Sequence, residues 1–388
     1  TENRGRVMES TARETRHEHV PANAPAERLA SIDALRGFDM FWIIGGNTLV
    51  LAFLALFVDP VPEWLEHQFH HVKWEGFAAW DLIMPLFLFV SGVSLPFSLA
   101  KWTGAGGKQK DRKGLYLRLV RRILLLWVLG MMVQGNLLKF DLSQLRLYSN
   151  TLQSIASGYL VATILMLFLS VRGQMLATAA LLLGYWGLLA LVPVPGHGPG
   201  VLEPTANLAM YIDETLLGSF RDGTTYTWIL SSMAFAASVL LGVFGGHVLR
   251  SGQTQNRKTA ILFASGFGCL AAGWIWSLSF PIIKHIWTSS MVLWAGGWSY
   301  LLLAAFYWLI DVKKYRKWAF PFIVIGMNAI AVYVATSLIN FDHISEGLVG
   351  HLAERLGAAG PFVVAFTAFL LVWLILLYLY RKGTFIRV

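Results

Sequence analysis

The stretch HQFHHVKWEGFAAWDLIMP, from His67 to Pro85, sets three histidines and three acidic or basic side chains directly before a long apolar run. Imidazole titrates near neutrality, so His71 is a candidate general base. Asp81 can orient a neighbouring histidine, or serve as an acid at a helix N-terminus, where the backbone dipole favours it. His67 and His71 lie four residues apart, with Glu63 one turn earlier, which would make a metal-ligand face if the segment were helical. No further motif supplies a third ligand, and no metal is expected. Elsewhere Asp33, Arg36, Asp39 and Asn47 fall in one apolar segment, and Gln153, Lys284, His285 and Asn328 fall in or beside others. Ionisable and amide groups are costly at membrane depth, so each is a functional candidate. The plain alternative for each is a cap, a snorkelling cation or a satisfied bond between helices.

These residues are carried by an unusually apolar chain. Of its 388 residues 56% are hydrophobic and 14% charged, against roughly 25% charged in a typical soluble domain. Apolar runs near 36–58, 80–100, 118–137, 152–171, 174–193, 228–249, 258–279, 291–311, 318–338 and 360–380 are each about the 20 residues that a helix needs to span a bilayer. The expected fold is an all-α polytopic membrane protein of about ten transmembrane helices, with a disordered cytoplasmic tail over 1–30 and a membrane domain over 31–388. An even number of spans puts both termini on one side. With the termini in the cytoplasm, all but six of the 31 Lys and Arg residues lie inside, the exceptions being Lys73, Lys139, Arg146, Arg221, Lys284 and Arg355. That asymmetry satisfies the positive-inside rule and places the His67–Trp80 loop, like the other long loops, on the outer face. The net charge of +9 is spread in short clusters between spans, which argues against a nucleic-acid stripe. One cysteine, Cys269, allows no internal disulfide.

Ideal helical geometry brings Arg36 and Asn47, eleven residues apart, back to nearly the same face, separated axially by about 16 Å. Such a face links one rim of the membrane to its middle. Embedded Asp, Asn and His are equally ordinary in a secondary transporter or channel, which stays open as a second reading.

The segments SIDALRGFDMFWIIGGN, HVKWEGFAAWDLIMPLFLFVSGVS, LQSIASGYLV, YIDETLLG, KHIWTSS and GMNAIAVYV, in this order from about residue 30 to 340, resemble the heparan-alpha-glucosaminide N-acetyltransferase family and its bacterial homologues. The resemblance implies an enzyme that moves an acetyl group from cytoplasmic acetyl-CoA to an amino sugar on the far side of the membrane. It implies catalytic roles for His71 and Asn47, with Asp81 or Lys284 tuning the site. Arg36, Arg118, Arg121 and Arg122 would then meet the phosphates of CoA, and Trp74, Gln153, Lys284, His285 and Asn328 would contact the acceptor. Where family members carry Gln-Arg this chain has Gln153-Ser154. The resemblance further suggests a homodimer among membrane lipids, in a bacterial inner membrane with the site facing the periplasm. An O-acetyltransferase of a cell-wall or lipid-linked glycan is a third reading.

Overall fold

Apolar segments in lipid must satisfy their backbone groups internally, and helices do so. The computed structural model describes residues 29–100 and 112–386, and among these no strand forms beyond isolated bridges. The helices are α1 (Ala30–Phe41), α2 (Asn47–Ala55), α3 (Ile83–Ser98), α4 (Arg112–Val133), α5 (Thr151–Phe168), α6 (Val171–Leu191), α7 (Leu208–Leu217), α8 (Ser232–Arg250), α9 (Gln255–Ser277), α10 (Ser289–Phe306), α11 (Phe320–Gly326), α12 (Ala329–Leu338), α13 (Phe341–Leu356) and α14 (Gly360–Arg381). Several starts are written in the sequence as caps. The side chains of Asn150, Ser170, Asn207, Thr254 and Asn340 accept from backbone N–H groups of the first turns of α5, α6, α7, α9 and α13.

Among the described residues, eight helical segments are long and apolar enough to cross a membrane, or nine if α11 and α12, bent by 76°, count as one broken span. All ten expected segments are helical. The remaining one, α4, carries Arg118, Arg121 and Arg122, which keep it out of that count. The tail expected over 1–30 lies outside the described residues except for Leu29 and Ala30, the latter opening α1.

The core is built on α3 and α8, the most buried spans. They cross in backbone contact, because a Cβ on Gly92 would lie 1.9 Å from the carbonyl oxygen of Val239, and one on Gly242 would lie 1.9 Å from that of Phe89. Small residues permit such an approach in membranes, where packing drives association. Around this pair, α5 packs on α8 and α4, α1 on α11, α9 on α10, and α13 folds back on α14.

One departure from the sequence reading matters for the site. Between α1 and α2 the helix passes through a wider π turn, Trp42–Gly46, with Ile44 and Gly45 out of helical conformation and Gly45 at φ 109°. The constant 100° step fails there, so Arg36 and Asn47 do not share one continuous helical face.

Candidate active site

The chain reaches the site through residues 70–78, a single 3₁₀ turn over Ala79–Leu82, and then α3. Asp81 sits in that turn, 1% exposed, and collects four donors. Its Oδ2 accepts from the N–H of Ala78 at 3.0 Å and of Val72 at 3.4 Å. Its Oδ1 lies 2.7 Å from Nδ1 of His71 and 3.3 Å from Nζ of Lys284. Lys284 Nζ and His71 Nδ1 are 3.2 Å apart. A carboxylate is acceptor only, so the short contact calls for a proton on Nδ1 of His71. In the neutral ring, that placement leaves the Nε2 lone pair available as a base. The ammonium of Lys284 then donates to Asp81.

Lys284 is 3% exposed and comes from a loop, which needs bracing. Gly76 donates to the carbonyl of Ile282 at 2.9 Å, Glu75 bridges Ile283, and Thr227 donates to the carbonyl of His285 at 3.0 Å. The loop closes on itself through Thr288, whose Oγ1 accepts from Ile283 and donates to Pro281. Below it the Trp287 indole, 1% exposed, donates to Ser238 on α8. Burial lowers the Lys284 pKa to about 8, against the pull of Asp81, which favours the charged form.

His71 opens into a cavity of about 360 Å³ lined by Trp80, Ile83, Met84 and Phe87 of the turn and α3, together with Gln134, Thr151, Tyr226, Lys284 and Tyr333. Tyr333 accepts from Nδ2 of Asn150 at 3.0 Å and also meets the Thr151 side chain. Burial pushes the Tyr226 phenol up to about 12, which keeps it a neutral donor. A second cavity of about 220 Å³ is lined by Arg36, Asp39, Phe87, Ser91, Ser94 and Arg122 among others. The two cavities share Phe87. Residues 83, 84, 87, 90, 91 and 94 form one stripe of α3, and Ile83 to Ser94 spans about 16 Å at 1.5 Å per residue. The two cavities therefore lie one after the other along α3, on either side of Phe87, over about the length expected along span one.

The structure brings His71, Asp81 and Lys284 into one cluster, and Arg36 and Arg122 into one cavity. Arg36 donates to Ser94 at 2.9 Å and pairs with Asp33, while Arg122 lies over the Tyr159 ring at 4.2 Å. Arg118 and Arg121 are exposed on α4 and line neither cavity. Asn47 is not in the His71 cavity. It lines a separate one of about 500 Å³ with Thr48, Thr336, Ser337, Asn340 and Asp342, and Ile43 is the residue common to both. The π turn is the physical reason for this displacement.

Four expected acceptor contacts are otherwise engaged. The Gln153 amide accepts from Ser149 N–H and donates to the Leu147 carbonyl, bracing the loop before α5. Asn328 donates to the Thr384 carbonyl and accepts from Ile386 N–H, fastening the segment after α14. Trp74 donates to the Leu202 carbonyl and packs edge-on against His285. His285 bonds Thr225 at 2.6 Å and stacks on Tyr226, and burial, with the charge of Lys284, lowers its pKa to about 4. None of the four lines the His71 cavity. The helical premise for a His67–His71 metal face also fails, since the helical turn ends at Phe69. Tyr226, Tyr333 and Trp80 were missed as site residues. Trp80 and Tyr333 lie inside two of the quoted motifs, which is the signal that could have found them.

No family model matches the chain. It is similar to the heparan-alpha-glucosaminide N-acetyltransferase of Homo sapiens, 26% identical over 367 residues that cover 79% of this chain and 52% of that protein. It is likewise similar to that of Mus musculus, 26% identical over 369 residues, 80% of this chain and 54% of that protein. The chain thus spans about half the length of the curated relatives it matches. Across most of this chain, in both relatives, the likeness supports the family relationship that the motifs indicate, with the heparan-alpha-glucosaminide N-acetyltransferases.

Proposed function

We propose that this integral membrane protein is a transmembrane acetyltransferase, which takes an acetyl group from acetyl-CoA and passes it to the amine of an amino sugar at the opposite face. The observation that carries the reading is the His71–Asp81–Lys284 cluster at one cavity on α3, with Arg36 and Arg122 at the next cavity along the same helix. A guanidinium-lined cavity suits the phosphates of the donor, and a narrow stripe ending at a base suits its extended arm. In this arrangement the His71 end faces the periplasm, as the charge asymmetry of the loops favours.

The chemistry follows from the tautomer. The neutral amine attacks the thioester carbonyl, forming the C–N bond, while Nε2 of His71 takes the proton shed by nitrogen. Asp81 holds the ring through Nδ1 and stabilises the imidazolium. Tyr333 or Lys284 donates to the developing oxyanion. On collapse the C–S bond breaks, and the thiolate leaves with the proton carried by His71, which restores the neutral ring. Asp81 thus takes the histidine-orienting role open to it from the sequence, and Asn47 has no step in this scheme.

The reading is tested by supplying acetyl-labelled acetyl-CoA to purified protein with glucosamine, chitobiose or cell-wall fragments. Label on an amine nitrogen is the expected result. Label on hydroxyls would point to an O-acetyltransferase, and solute flux in vesicles without any acetyl transfer would reject the proposal in favour of a transporter.

A further inference from the structure

Asp39 is the exception to the rule that buried carboxyls are partnered. It is 1% exposed, and neither of its oxygens has a hydrogen-bond partner. It faces two cavities. One, about 260 Å³, is lined by Phe38, Trp42, Phe69, Trp80, Trp298 and other apolar side chains. Its amide there, Gln68, has its Oε1 taken by Ala79 N–H. The other is the cavity of Arg36, Ser91, Ser94 and Arg122, farther along α3 from His71. In that same cavity a second buried polar atom, Nε of Arg122, also lacks a partner. One orphan is an acceptor on α1 and the other a donor on α4.

A secondary amide needs one of each, since its N–H and its C=O both require partners once out of water. The arm of the donor proposed above carries such amides. We infer that Asp39 is a donor-recognition residue, accepting the N–H of a pantetheine amide whose carbonyl takes the Nε–H of Arg122. This rests on the acyl-transfer reading for the identity of the arm. The orphaned pair itself is independent of it. Leaving the carboxyl unmatched is a cost that the empty protein bears and that bound donor relieves.

The test compares wild type, Asp39→Asn and Asp39→Leu with two donors, S-acetylpantetheine, which has both arm amides, and ethyl thioacetate, which has none. In Asp39→Leu the KM for S-acetylpantetheine rises about tenfold, the scale of leaving a buried amide N–H unmatched. Its kcat changes little, and kcat/KM for ethyl thioacetate is unchanged. Asp39→Asn, which keeps one acceptor oxygen, gives a smaller rise in KM, and this variant decides the matter should the leucine variant not fold. As a readout without turnover, CoA raises the melting temperature of wild type and raises that of the variants less. Equal losses for both donors, or no change in KM with either, would overturn the inference. Should wild type transfer no acetyl group yet show the Asp39-dependent rise with CoA, the acyl-transfer reading falls and the Asp39 site stands. Should CoA stabilise wild type and variants equally, the inference falls whatever the activity.

Discussion

Asp81→Asn is the substitution that weighs most on the proposed chemistry. The carboxylate serves four donors at once, from Val72, Ala78, His71 and Lys284. An amide of the same shape offers one acceptor oxygen and turns an NH₂ group toward the remaining donors. Two separate effects follow. Lys284, whose side chain is 4% exposed, loses its counter-charge beside a group that is 1% exposed, and breaking a buried pair in this way costs about 3–5 kcal/mol. His71 loses the acceptor that fixes the proton on Nδ1, and a base in the wrong tautomer loses roughly 10⁴ in kcat. The double variant Asp81→Asn/Lys284→Met separates them. Removing the stranded ammonium restores most of the melting temperature in detergent, whereas the acetyl-transfer rate, followed by thiol release from acetyl-CoA, stays at or below the level of the single variant. The reasoning fails if Asp81→Asn transfers acetyl within about tenfold of wild type, or if the double variant melts no higher than the single one.

The remaining expectations are more compact. His71→Ala abolishes transfer by at least about 10² yet shifts melting little, because its side chain is 45% exposed and its loss leaves Asp81 paired with Lys284. The pKa of Lys284, lowered to about 8 by burial, gives two trends of opposite sign. Transfer declines as pH rises through about 8 and the ammonium is lost. The stability contributed by this group increases between about 8 and its ordinary 10.5, since the unfolded chain there holds a proton the folded one has shed. Rate and melting profiles against pH, with Lys284→Met flattening both limbs, check this. Gly92→Ala places a methyl group 1.9 Å from the Val239 carbonyl oxygen, which forces α3 and α8 apart and lowers stability by about 1–3 kcal/mol or more. A thermal-shift assay shows it.

How much of this was legible beforehand differs from residue to residue. The helices were, because apolar runs of bilayer length have no other way to satisfy their backbones, and all ten segments are helical. The His71–Asp81 relation was half legible. Ten residues separate them, and an acid at the head of a span beside a histidine is a readable pairing. That Lys284 completes the cluster was suggested by the motifs and not by spacing, since it lies 203 positions along the chain from Asp81. Asn47 was misplaced because periodicity assumes one continuous helix, and nothing in the run WIIGG states that the turn widens. Gln153 and Asn328 look like site residues in sequence. Their partners are backbone groups at Ser149, Leu147, Thr384 and Ile386, and a backbone partner has no signature in side-chain types. Asp39 stood in plain view inside span one, but an unmet carboxyl becomes visible only when its surroundings are known.

The loop that carries Lys284 is stitched to the rest through Ile282, Ile283 and His285, contacts that exist only once both distant parts of the chain are in place. Until then the imidazole has neither a fixed ring nor a balanced neighbour. On the proposed chemistry, a chain inserted only as far as α9 would therefore lack a complete site.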